Sequence, residues 1–127
     1  MSEPAKILVV DDTPANIKLF ADLLTSNGYA VTTAVNGEEA LAKLASEKPD
    51  LVLMDIQLPG IDGIEALRQV RADPACSAIP IIAFTASVMQ ADRSQFSAAG
   101  FDGVLSKPIN LKEFLETIKR LLESRRA

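Results

Sequence analysis

The stretch Leu51-Val52-Leu53-Met54-Asp55-Ile56-Gln57-Leu58-Pro59-Gly60-Ile61-Asp62-Gly63 decides the fold. Four consecutive apolar residues followed by Pro/Gly turn signals read as a β-strand buried on both faces. Asp55 then stands where the strand leaves the core. In an open α/β sheet, ligands bind outside the carboxyl ends of the strands, so an acid at this point is placed for chemistry. An Asp after a strand also commonly starts a loop or caps a helix, and only the rest of the chain separates the two readings.

Working outward, two further runs have the same design. Ile7-Leu8-Val9-Val10 ends at Asp11-Asp12, and Ile81-Ile82-Ala83-Phe84 ends at Thr85-Ala86-Ser87. Residues 30–35, with two threonines, and Val104-Leu105, ending at Ser106-Lys107-Pro108, are weaker strands suited to sheet edges. Helical spacing fills the intervals. Thr13-Pro14 supplies a cap and a first-turn proline for a helix using Ile17, Phe20, Ala21 and Leu24, closed by Gly28. Asn36-Gly37 with Glu39 opens a second helix with Ala40, Leu41 and Leu44 on its face, ending before Pro49. Asp62 and Glu65 begin a third, using Ile64, Leu67 and Val70 and ended by Asp73-Pro74, with loop over residues 72–79. Residues 90–99 form a weakly amphipathic fourth helix, anchored by Phe96 and Ala99. Asn110 with Glu113 caps a strongly amphipathic fifth, with Leu111, Phe114, Leu115, Ile118, Leu121 and Leu122 on one face.

Five strands alternating with five helices imply an α/β fold: a doubly wound, five-stranded parallel sheet, flavodoxin-like, with the apolar strands central and the order 2-1-3-4-5. The 127 residues suffice for a single domain over 1–127. No apolar run approaches the ~18 residues of a membrane helix and the first residues lack a signal-peptide core, so a cytoplasmic protein is expected. The net charge of −4 argues against nucleic acid as a partner. A single cysteine, Cys76, excludes an internal disulfide, and the absence of histidine excludes imidazole bases and His metal sites.

In a parallel sheet all carboxyl ends lie along one edge, so Asp11-Asp12, Asp55, Thr85 and Lys107 arrive there from four separate strands. Three carboxylates so gathered repel one another: one pair at 4 Å costs about 4 kcal/mol at an effective dielectric near 20. Lys107 supplies one positive charge and an oxygen-ligated divalent ion the rest. Mg²⁺ fits, since it is usually held by one or two carboxylates and accepts phosphate oxygens as further ligands. A carboxylate beside Mg²⁺, an amine and a hydroxyl is equipped for phosphoryl transfer to Asp, with Lys107 and Thr85 on the phosphoryl oxygens and the small Ala86 leaving room for the donor.

On these residues the chain resembles the CheY-like receiver domains of two-component response regulators, and the resemblance runs from Ile7-Leu8-Val9-Val10-Asp11-Asp12 through Leu53-Met54-Asp55-Ile56-Gln57-Leu58-Pro59 and Thr85-Ala86 to Lys107-Pro108. Phe114-Leu115-Glu116-Thr117-Ile118-Lys119-Arg120-Leu121-Leu122 looks most like stand-alone regulators of the DivK type, although receivers of hybrid kinases share much of it. The resemblance implies that Asp55 is the phosphoacceptor, that Asp12, Asp55 and the Gln57 main-chain carbonyl bind Mg²⁺ directly with Asp11 acting through water, that Thr85 and Lys107 contact the phosphate, and that the Lys107-Pro108 bond is cis. One position departs from the family. Three residues before the lysine, where the usual switch aromatic lies, stands Val104, which implies either a repacking valine or a different, weaker switch.

The expected function is a phosphorylation-activated signalling module. It takes a phosphoryl group from the phosphohistidine of a histidine kinase or phosphotransfer protein, and binds a downstream target in trans through the fourth helix, last strand and last helix. It is expected to be a monomer, with no enzymatic activity beyond its own phosphorylation and auto-dephosphorylation. The alternatives are a pseudo-receiver that binds without phosphorylation, a receiver excised from a hybrid histidine kinase, an aspartyl-intermediate phosphatase, and a flavin-binding flavodoxin relative. The complete acidic and lysine set argues against the pseudo-receiver. The place of Asp55 after the third strand and the lack of a cap insertion argue against the phosphatase, and the acidic edge against a flavin phosphate. Phe96 and Phe101 read as core, Cys76 as an inert thiol, Lys112 and Glu116 as an exposed face, and Arg125-Arg126 as a solvated tail.

Overall fold

The computed structural model describes residues 5–55, 63–72, 79–85, 101–106 and 111–126. Its strands are β1 (Lys6–Val10), β2 (Ala30–Ala34), β3 (Leu51–Asp55), β4 (Ile81–Thr85) and β5 (Gly103–Ser106). All pair in parallel in the order β2-β1-β3-β4-β5, as the hydrophobic runs predict. The helices are α1 (Pro14–Ser26), α2 (Gly37–Glu47), α3 (Gly63–Ala72) and α4 (Leu111–Arg126). The helix expected over 90–99 and the residues Gln57, Asp62, Cys76, Ala86, Lys107 and Pro108 lie outside the described residues.

Strand side chains alternate between faces, and here both faces are covered. Leu8, Val10, Val52, Met54, Ile81 and Ala83 pack with Ala40 and Leu44 of α2 and Val70 of α3. Ile7, Val9, Leu51, Leu53 and Ile82 pack with Phe20 and Leu24 of α1 and Phe114, Ile118 and Leu122 of α4. The Phe20 and Phe114 rings, 5.4 Å apart at 39°, join the two helices on that side. Phe101 is buried in the first cluster, as expected of a core residue.

Local chemistry sets the ends of the elements. Past α1 the chain makes a Schellman turn: Tyr29 N–H donates to Leu24 O at 3.0 Å and Gly28 N–H to Thr25 O at 3.1 Å. Gly28 takes the positive φ of 88° that this turn requires. At α2 the Asn36 side chain accepts the Glu39 N–H at 2.7 Å. Lys48 ends that helix with φ 47° and ψ 63°, a left-handed conformation unusual for a residue with a Cβ. At the amino edge of the sheet, Asp50 and Asp102 each bond the strand beside them, and Arg71 of α3 reaches both Asp102 Oδ2 (2.7 Å) and Ile79 O (2.8 Å).

Three details depart from expectation. Leu111 is 48% exposed rather than part of the buried face. It is the first residue of α4, and helical side chains lean toward the amino end, so its side chain extends past the layer it was expected to join. Thr13 sits at the N-cap of α1 but its side chain makes no capping bond. Arg125 and Arg126 are the last residues of α4, which runs on to Arg126 where a tail was expected.

Candidate functional site

β1 and β3 are neighbours in register, with Val10 opposite Met54. The residues that follow, Asp11 and Asp55, therefore leave the sheet side by side. Asp11 N–H extends the ladder one step by donating to Ala34 O at 3.1 Å. Its carboxylate is completely buried and held from two directions: Oδ1 accepts the Thr13 N–H at 2.9 Å and Oδ2 accepts from Asn16 Nδ2 at 3.1 Å. Asp12 is exposed, and the Thr13 hydroxyl lies 3.4 Å from its Oδ1, facing the acid rather than the helix end. Asp55 is the last residue of β3 and only 6% exposed.

One carboxylate oxygen from each of Asp11, Asp12 and Asp55 lies within 4.8 Å of the others. Asp11 and Asp55 are also the only buried polar or charged side chains among the described residues. Such a concentration of negative charge calls for a cation, and an all-oxygen, all-carboxylate donor set suits a hard divalent ion. Oxygens sharing one Mg²⁺ at ~2.0–2.1 Å stand roughly 3–4 Å apart. The three carboxylates are close enough to surround one such ion, so the residues present fit it.

The other strands lead to the same edge. Asp55 is opposite Phe84, so Thr85 lies one step further along β4, paired with Ser106 at the end of β5. The Thr85 side chain and all of Gln57, Ala86 and Lys107 fall outside the described residues. The sequence reading does not single out Asn16. The signal was present, an amide in the first turn of α1 five residues beyond a strand-end acid, but nothing in helical periodicity gives such a residue a partner.

The response regulator receiver domain model matches residues 7–119. The chain belongs to that family. The polar-differentiation response regulator DivK of Brucella anthropi is 40% identical over 119 residues, 94% of this chain and 97% of that protein. Among solved structures, the receiver domain of a sensor histidine kinase from Pseudomonas aeruginosa, which has a magnesium ion coordinated in its active-site cleft, is 35% identical with a TM-score of 0.87, covering 94% of this chain and 98% of that one. The chemotaxis protein CheY4 of Vibrio cholerae is 32% identical with a TM-score of 0.86, covering 93% and 98%.

Receiver domains act in two-component, phosphorylation-based signalling, binding histidine kinases or phosphotransfer proteins and downstream targets. This receiver is accordingly a signalling domain and not a classical enzyme. Receiver domains bind Mg²⁺ at an acidic pocket, and in this chain Asp11, Asp12 and Asp55 form an acidic cluster. Among the described residues no helix is long and apolar enough to cross a membrane.

Proposed function

We propose that Asp55 is the phosphoacceptor. A carboxylate oxygen of Asp55 attacks the phosphorus of a partner's phosphohistidine, the P–N bond breaks, the imidazole leaves, and an acyl phosphate remains on Asp55. Hydrolysis by water returns the carboxylate and inorganic phosphate, the auto-dephosphorylation that ends the signal. The observation that carries this reading is the meeting of the Asp11, Asp12 and Asp55 oxygens within 4.8 Å at the carboxyl edge of the sheet.

In this reading Asp12, Asp55 and the Gln57 main-chain carbonyl hold Mg²⁺, with Asp11 acting through a water. Bound there, the ion offsets the negative charge of the carboxylates and phosphoryl oxygens. Thr85 donates to one phosphoryl oxygen, Lys107 balances the charge of another, and Ala86 leaves space for the donor. The chain works as a single receiver over 1–127, as a cytoplasmic monomer, and signals through the segment 90–99, β5 and α4. The 97% coverage of a DivK relative supports the single-receiver reading.

The test is intact mass after incubation with Mg²⁺ and a small phosphodonor. The wild type is expected to gain one phosphoryl group and Asp55→Asn none. Equal gain in both proteins removes Asp55 from its role, and no gain in either favours a receiver that binds without phosphorylation.

A further inference from the structure

We infer that Asn16 is a positioning residue for divalent-metal binding, setting the orientation of the Asp11 carboxylate that helps to surround the ion; this rests on the metal reading proposed above. The terminal torsion of an Asp side chain is broad, so a single hydrogen bond sets it loosely. Asp11 is held on both oxygens by donors of different origin: the Thr13 backbone at 2.9 Å and the Asn16 carboxamide at 3.1 Å. Asn16 is in turn held by the first turn of α1, where its own N–H donates to Thr13 O at 3.0 Å. Asn16 thereby ties the start of α1 to the acidic cluster without needing to touch the ion.

Outer partners of metal-binding groups typically contribute about 10–100-fold to affinity. Calorimetric titration with Mg²⁺ alone is expected to show binding about tenfold weaker in Asn16→Ala and in Asn16→Leu, which keeps the side-chain shape without the donor. Asn27→Ala serves as control, because the Asn27 amide donates to Leu23 O at 2.7 Å, away from the acids; it should bind like the wild type. A purely structural role would lower thermal stability while leaving the affinity of the folded protein unchanged. Wild type that binds with both Asn16 variants equal to it overturns the inference alone, whereas wild type that binds no Mg²⁺ removes the metal reading as well. Should the variants not fold, amide NMR of the wild type decides. The Asn16 side-chain NH₂ signals are expected to shift with the same midpoint as the Asp11 backbone amide while those of Asn27 stay in place, and stationary Asn16 signals reject the role.

Discussion

Asp50 and Asp102 perform the same task at two points on the amino edge of the sheet. Each lies one residue before a strand, and each carboxylate accepts the N–H that opens the neighbouring strand, Lys6 at 2.9 Å and Ile81 at 2.8 Å. Each also returns its own N–H to that residue's carbonyl, at 2.7 Å and 2.8 Å. A side chain thus completes a two-bond pairing beyond the last regular step of the ladder.

Asp102→Ala leaves the Ile81 N–H without its carboxylate and is expected to cost about 1–3 kcal/mol. Arg71→Gln loses the partly exposed ion pair to Asp102 and the bond to Ile79 O, and should cost about 1 kcal/mol, less than Asp102→Ala. Urea unfolding of the two variants checks the order, and a costlier Arg71→Gln contradicts it.

The exposed acid, Asp12, can be neutralised without disturbing a buried hydrogen bond. Asp12→Asn should stabilise the metal-free protein by about 1 kcal/mol, the order of like-charge repulsion near water. It should also lose most of the stabilisation that Mg²⁺ gives the wild type. Urea midpoints in chelator and in Mg²⁺ measure both effects.

Lys48 pays the steric penalty of a left-handed backbone. Lys48→Gly removes that penalty and gains unfolded-chain entropy, two opposing terms of similar size, with a net stabilisation of about 0.5 kcal/mol expected. An unfolding midpoint below that of the wild type would show that the conformation is not strained.

Leu111 and Phe114 share the predicted apolar face of α4 and should respond very differently. Leu111→Ser should change stability by less than about 0.5 kcal/mol. Phe114→Ala, which opens a cavity beside Phe20, should cost about 3–5 kcal/mol. Thermal unfolding of the pair measures the contrast.

Val104 stands where the resemblance to receiver domains leads one to expect a switch aromatic. On addition of beryllofluoride, a phosphoryl mimic, the amide shift at position 104 is expected to be smaller in the wild type than in Val104→Tyr. Equal shifts in amide NMR would mean that valine supports the same rearrangement.

The sheet was legible in the sequence because strands covered on both faces leave unbroken apolar runs, and Lys6–Val10, Leu51–Asp55 and Ile81–Thr85 coincide with them. The acidic cluster was legible for a related reason, since a parallel sheet collects its carboxyl ends. Other features depend on groups that periodicity does not describe. Asn36 caps α2 as its type suggests, but the Thr13 hydroxyl lies near Asp12 instead of capping α1, a competition settled only in three dimensions. The Asn16–Asp11 bond joins two side chains, and the Asp50 and Asp102 pairings join side chain to backbone across elements, so hydrophobic spacing gives no sign of them. Leu111 shows the converse, an apolar residue in phase with its face but too near the helix end to be covered.

The coverage of the central strands on both sides restricts how this receiver can diversify. Neither β1 nor β3 has a side free to acquire a new contact, and a bulkier residue there would push on one helical layer or the other. New recognition must be written on the outer faces of the helices and in the connecting loops. A designer seeking to rewire its partners could therefore vary that periphery widely while leaving the reaction chamber as it is.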